Sequence, residues 1–190
     1  MVLLMADIVG QGMKVIIREK RAEDGEDDHS WRCDPELAEL DAAAPLRQPL
    51  QDFLRDYESE LKFPTPWVHR YGIDTLDGVH IGNCMVYDID TIGGQAEVGI
   101  LVGNRDYWDG GFGREAVKLL MAECFRNRSM NRLYLHTLVW NARARRAFAG
   151  CGFGEAGPVR RGGRDFIRME ITRAEWETAS DSADVAAPAE

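Results

Sequence analysis

The spacing of apolar and polar positions changes several times along the chain, and each change marks an element. Lys14 to Glu19 (KVIIRE) is a short β-branched run and predicts a strand. The stretch RAEDGEDDHSWRCDPELAELDAA has helical spacing interrupted at Asp34-Pro35, which predicts two short helices. Leu50, Phe53, Leu54, Tyr57 and Leu61 recur at helical intervals until Pro64 and Pro66 stop the pattern. Three strand-like runs follow, WVHRYGID, VHIGNCMVYDI and QAEVGILV, separated by the turn pairs Asp77-Gly78 and Gly93-Gly94, so an antiparallel meander is expected.

The second half reads differently. GREAVKLLMAECFRNR places Val117, Leu120, Met121, Cys124 and Phe125 on one helical face, and RLYLHTL (Arg132 to Leu138) is the next strand. Asn141 is then a good N-cap for a helix whose apolar face is Ala144, Ala147, Phe148 and Cys151, ended by Gly152. FGEAGPVRR and RDFIRMEIT flank Gly162-Gly163 as a last hairpin. This order predicts a mixed α/β fold, a sheet of about seven strands with one parallel crossover and flanking helices. Residues 1–178 are expected to form one domain, and 179–190 an acidic, disordered tail.

A length of 190 residues with 45% hydrophobic and 29% charged residues suits one globular domain and excludes a large two-domain enzyme. The opening MVLLMADIVGQGM has no basic segment before its apolar run, and Asp7 interrupts it, so neither secretion nor membrane spanning is expected. Cys33, Cys84, Cys124 and Cys151 stand far apart with no CxxC pair, which predicts reduced thiols, no metal site and a cytoplasmic location.

The formal net charge is −9, yet Arg126 to Arg173 holds eleven arginines against Glu155, Asp165 and Glu170. The acids gather in Glu23 to Asp34 and in the final AEWETASDSADVAAPAE. Such a split suits an anionic ligand at one end of the molecule and a cationic one at the other. A nucleic-acid partner is not expected, because the pI is near 5.0 and no basic helix carries interleaved aromatics.

The chemistry concentrates in AEVGILVGNRDYWDGGFGREA, a strand that runs through a loop into a glycine-rich helix start. Gly110, Gly111 and Gly113 let the backbone approach a ligand, and the first free N–H groups of the helix form an anion site suited to a pyrophosphate. The segment WDGGFG resembles the Q/R-x-x-G-x-G/A loop of the GNAT N-acetyltransferase superfamily, with Trp108 at its first position. Asn141 to Phe153 resembles the downstream N-x-x-A-x-x-x-Y-x-x-x-G-F motif of the same superfamily. REKRAEDGEDDHSWRCDPELAELD and RMEITRAEWE look like the opening and close of its ribosomal-protein N-terminal acetyltransferase branch, so the likeness spans nearly the whole chain.

The resemblance implies acetyl-CoA as cosubstrate, CoA as product and an amine as acceptor, with room for a homodimer. The cofactor would lie in a splay between strand Ala96 to Val102 and strand Arg132 to Leu138. Leu101 and Val102 would pair with the pantetheine, Trp108, Gly110, Gly111, Phe112, Gly113 and Arg114 would form the pyrophosphate loop, and Asn141 would touch the pantetheine arm.

An α-amino group has a pKa of about 8 and a lysine about 10.4, so acetyl transfer needs a base or a water relay to one. Glu97, on the strand face of Leu101, and His136, mid-strand in RLYLHTL, are the candidates. Phe148 stands where many relatives carry a tyrosine that protonates the thiolate, and it cannot donate a proton. A non-catalytic acyl-CoA sensor is therefore one rival. A nicotinamide-binding oxidoreductase is another, since Gly111 to Ala116 also satisfies G-x-G-x-x-G/A. No acidic residue follows at the ribose-binding spacing, which opposes it. Trp31, Trp67, Trp108, Trp140 and Tyr71 read mainly as core. The acceptor is left open among a protein N-terminus, an aminoglycoside, a polyamine and an amino acid.

Overall fold

The computed structural model describes residues 8–127 and 130–185. Its strands are β1 (Ile8–Gln11), β2 (Val15–Glu19), β3 (His69–Thr75), β4 (His80–Asp90), β5 (Gln95–Val102), β6 (Arg132–Leu138), β7 (Gly154–Arg161) and β8 (Arg164–Thr172). Its helices are α1 (Gly25–Cys33), α2 (Pro35–Leu40), α3 (Leu50–Lys62), α4 (Phe112–Ala122), α5 (Ala142–Ala149) and α6 (Arg173–Val185). The strands form one eight-stranded open sheet in the order β1-β2-β3-β4-β5-β6-β8-β7. Among the described strands only the β5/β6 pair is parallel.

The sheet has one strand more than the pattern predicts, because IVGQ in β1 has no alternation of its own. It pairs with β2 and packs Gly10 against Leu119 of α4. The closing helix α6 also passes the boundary at residue 178, anchored by Trp176 with its ring centroid 5.3 Å from that of Phe125. The rest of the acidic tail, 186–190, and the opening 1–7 lie outside the described residues. No described helix is long and apolar enough to cross a membrane.

One face of the sheet is covered by α4, whose Ala116, Val117, Leu120 and Met121 are buried against Val15, Ile17, Ile73, Val86, Val98 and Leu133. Each large apolar side chain so buried stabilises the fold by about 1.5–3 kcal/mol. Trp31 and Tyr71 join the buried residues as expected, whereas Trp67 and Trp140 are exposed.

On the opposite face α1 and α3 cover a buried polar cluster. The Arg18 guanidinium donates to Asp74 (2.5 and 2.8 Å) and Asp24 (2.7 and 2.8 Å). Lys20 pairs with Asp28 at 2.8 Å, and His80 lies 3.1 Å from Asp74 and 3.4 Å from Asp28. This corrects the reading of the charge split. Asp24 and Asp28 are consumed by internal cations, and Asp34 caps α2 and pairs with Arg105 at 2.9 Å, so these acids do not form a surface for an amine.

The feature that creates a site is the short contact between β5 and β6. They pair only over Gln95, Ala96 and Glu97 against Arg132, Leu133 and Tyr134. Beyond that point β5 continues beside β4 to Val102, while β6 continues beside β8 to Leu138. The two strands part, and a cleft opens between them.

Candidate active site

The cleft has a volume of about 640 Å³ and runs from the start of α4, past the splayed strands, to the end of β7. At the α4 end the backbone turns through Gly111 at φ +84°, a conformation that favours glycine. Among the described residues no side chain caps this helix, and the first helical hydrogen bond runs from Glu115 N to Gly111 O at 3.0 Å. The N–H groups of Phe112, Gly113 and Arg114 are therefore left for a ligand. Gly113 lets the turn sit on β5, since a Cβ there would lie 3.3 Å from Val102 Cγ2.

Two cations flank the turn. A Cβ on Gly111 would lie 3.6 Å from an Arg114 guanidinium nitrogen and 3.8 Å from Lys14 Nζ. Lys14 is held by donating to Gly110 O at 2.7 Å, and its own N–H donates to Glu115 at 2.8 Å. Nothing in the sequence marked Lys14, because its place in the site depends on contacts with residues about a hundred positions away. Gly110 and Phe112 do not line the cleft. The Gly110 N–H turns back to Trp108 O at 2.7 Å, and the Phe112 ring packs edge-on against Tyr107 at 5.1 Å, leaving only the Phe112 backbone N–H to the turn.

Trp108 lines the cleft with its indole N–H donated to Val102 O at 2.7 Å, so that carbonyl is already engaged by the protein. The guanidinium of Arg143 lies 3.7 Å from the Trp108 ring centroid, a stacked cation–π contact. Arg143 and Arg146 of α5 add positive charge to the wall, while Arg145 turns away to Glu155 at 2.7 Å. The expected apolar face of α5 proves to be cleft wall as well: Ala144, Ala147 and Phe148 line it, and no residue within α5 is fully buried. Leu101 lines the cleft beside Val102. Asn141 caps α5 by accepting from Ala144 N at 3.1 Å, which leaves its amide nitrogen to meet a ligand.

Where the strands begin to part, His136 Nδ1 lies 2.7 Å from Glu97 Oε1, both side chains at most 5% exposed. Arg161 of β7 reaches the other carboxylate oxygen at 3.3 Å. An imidazole nitrogen facing a carboxylate carries the proton, so His136 Nε2 is the ring's lone-pair nitrogen when the ring is neutral. Among the described residues Nε2 has no hydrogen-bond partner. Tyr87, paired with Glu97 across β4 and β5, keeps its phenol protonated because burial and then the Glu97 charge push its pKa up. The site thus offers a cationic, N–H-rich end for phosphates and a buried carboxylate–imidazole pair at the other.

Solved structures similar to this one include acetyltransferases. A spermidine N-acetyltransferase from Vibrio cholerae in complex with CoA and spermine superposes with a TM-score of 0.78 at 20% identity, covering 87% of this chain and 99% of that one. An aminoglycoside acetyltransferase in complex with coenzyme A gives 0.73 at 22% identity, with coverage of 87% and 99%. At such identities these likenesses establish the fold. A search of curated protein sequences finds no match. The ribosomal-protein branch finds no support in these comparisons. The acetyltransferase (GNAT) domain family matches residues 14–154, most of the chain and both halves of the cleft, and the chain therefore belongs to the GNAT acetyltransferase family.

Proposed function

We propose that the protein acetylates a small primary amine by direct attack in a ternary complex, with His136 as the base and Glu97 as the residue that orients it. Acetyl-CoA, the cosubstrate of the family, supplies the activated acetyl group as a thioester. The α4 N-terminus fits its pyrophosphate: three free N–H groups with Arg114 and Lys14 beside them would hold it. The glycine turn is thus accounted for without a nicotinamide cofactor.

The observation that carries the catalytic reading is the 2.7 Å contact between His136 Nδ1 and Glu97. Both Glu97 oxygens are engaged, one by His136 and one by Arg161, so neither faces an incoming ammonium unpartnered. His136 Nε2 is free to take the proton from an incoming ammonium, and the Glu97 carboxylate stabilises the imidazolium that forms. The Glu97 and His136 pair therefore divides the work that either residue alone was expected to do. A small-molecule acceptor is favoured over a protein N-terminus by the relatives, which act on spermidine and aminoglycosides.

Release of CoA thiol from acetyl-CoA, followed across amines, tests this. His136→Gln should lower kcat by about 10²–10⁴-fold with CoA affinity unchanged, the usual weight of a general base. Turnover within a few-fold of the parent would remove His136 from the role. The sensor reading suggested by Phe148 requires CoA binding with no turnover of any amine.

A further inference from the structure

At the dyad end the cleft is lined by Leu37, Leu40 and Asp41 from α2 and its end, by Tyr87, and by Arg161 and Phe166 from the last hairpin. Arg161 is the cation at this end. Its side chain is 50% exposed, against 4% for Glu97, and its one hydrogen bond among the described residues is the 3.3 Å contact to Glu97. A guanidinium has five N–H donors, so four are not spent on Glu97. The neighbouring arginines of the hairpin are committed elsewhere, Arg160 to Asp165 at 3.0 Å and Arg164 to Ala43 O at 3.5 Å.

One acid, Asp41, lines this end without an ion pair among the described residues, while the other acids that would draw in a polycation are committed. Glu97 is balanced by His136 and Arg161, and Asp24, Asp28 and Asp34 are held in ion pairs away from the cleft. A spermidine-like acceptor would meet an unspent guanidinium here. We propose that the acceptor is a free α-amino acid or a similarly small amine bearing a carboxylate within a few bonds of its nitrogen, and that Arg161 binds this carboxylate.

The geometry suits both halves of such a molecule. A carboxylate meets a guanidinium in a charge-assisted, two-pronged hydrogen bond. The adjacent ammonium is brought near the His136 Nε2 lone pair, and the positive charge of Arg161 lowers the ammonium pKa, easing its deprotonation. The inference rests on the acetyl-transfer reading. In the balanced step one ammonium proton leaves through His136, the nitrogen lone pair forms the C–N bond, the C–S bond breaks, and the second proton lost from nitrogen passes through water to the thiolate. The products are the N-acetyl amino acid, CoA thiol and one proton.

The test follows CoA thiol release with the purified full chain on amino acids, their carboxamides, spermidine and an aminoglycoside. Amino acids should exceed their carboxamides by about 10- to 100-fold in kcat/KM, the weight of one charged hydrogen-bonded contact. Arg161→Gln should collapse that preference mainly through KM, and Arg161→Lys should restore part of it. Preference for spermidine or for carboxamides overturns the proposal while acetyl transfer stands. Equal loss of kcat on acids and carboxamides in Arg161→Gln also overturns it, since Arg161 would then act only on Glu97. CoA binding with no turnover of any amine overturns the acetyl-transfer reading, and this inference with it.

Discussion

Glu97 and His136 meet at 2.7 Å at the last place where β5 and β6 are still joined, so this hydrogen-bonded pair sits at the apex of the opening between them. Glu97 lies in the final paired position, opposite Tyr134, and His136 is two residues further on along β6. Groups that act as one unit are strongly non-additive. Glu97→Gln and His136→Gln should each lower kcat, and the double variant should be about as slow as His136→Gln alone. Multiplying losses would show that the two residues act independently.

The glycine turn predicts how charge governs cofactor binding. Asn and Asp both tolerate the left-handed backbone of Gly111 and have nearly the same shape. Gly111→Asp places a carboxylate beside Arg114 and Lys14, where the pyrophosphate would lie. Calorimetry should find CoA binding lost in Gly111→Asp and weakened less in Gly111→Asn. Equal affinities for the two variants would mean that no anion binds there.

Asn141 caps α5 through its amide oxygen, and its amide nitrogen is proposed to meet the cofactor. Asn141→Ala should cost about 1 kcal/mol of stability through loss of the cap. Affinity for CoA should fall with it, because the amide nitrogen is also removed. A lower melting temperature with unchanged CoA affinity would make Asn141 purely structural.

Phe148 is a wall residue of the cleft, edge-on to Phe153 at 6.1 Å. Phe148→Tyr adds a hydroxyl at that wall and is expected to raise kcat by supplying a proton to the departing thiolate. An unchanged or lower kcat, with CoA affinity retained, counts against thiolate departure as the slow step.

The cluster beneath α1 makes stability depend on pH in both directions. Burial opposes the His80 charge, but hydrogen bonds to Asp28 and Asp74 outweigh it and hold the pKa above the ordinary histidine value. Burial likewise opposes the charges of Asp24, Asp28 and Asp74, where Arg18, Lys20 and His80 overcome it and hold those carboxyls below their ordinary range. The His80 contribution is fully present below its unfolded pKa of about 6.5 and is lost as pH rises through the folded value. The carboxylate contributions are present above about pH 4 and are lost as pH falls through the depressed values. Denaturant midpoints should decline from pH 6 to pH 8, and His80→Gln should flatten that decline. A parent midpoint that does not fall over this interval would contradict the arrangement.

Much of this was legible in the residues themselves. The meander, the β6 strand, the glycine turn and the Asn141 cap are fixed by contacts within a few positions, where periodicity, turn chemistry and capping act. So QAEVGILV and RLYLHTL could be read to the residue as β5 and β6. What tertiary structure decided is which side chains meet across long separations. Lys14 reaches Gly110 across 96 residues, and Arg161 reaches Glu97 across 64. The apolar stripe of α5 could be read but not what it faces, because amphipathic spacing records only that one face avoids water, and a ligand cleft satisfies it as well as a sheet does. The acids of α1 looked like a cationic-ligand surface because charge along a chain carries no information about its partner. Only the packing of α1 against β2, β3 and β4 brings Arg18, Lys20 and His80 to Asp24 and Asp28, and burial then makes those pairings obligatory, since an unpaired charge there would bear the full cost of desolvation.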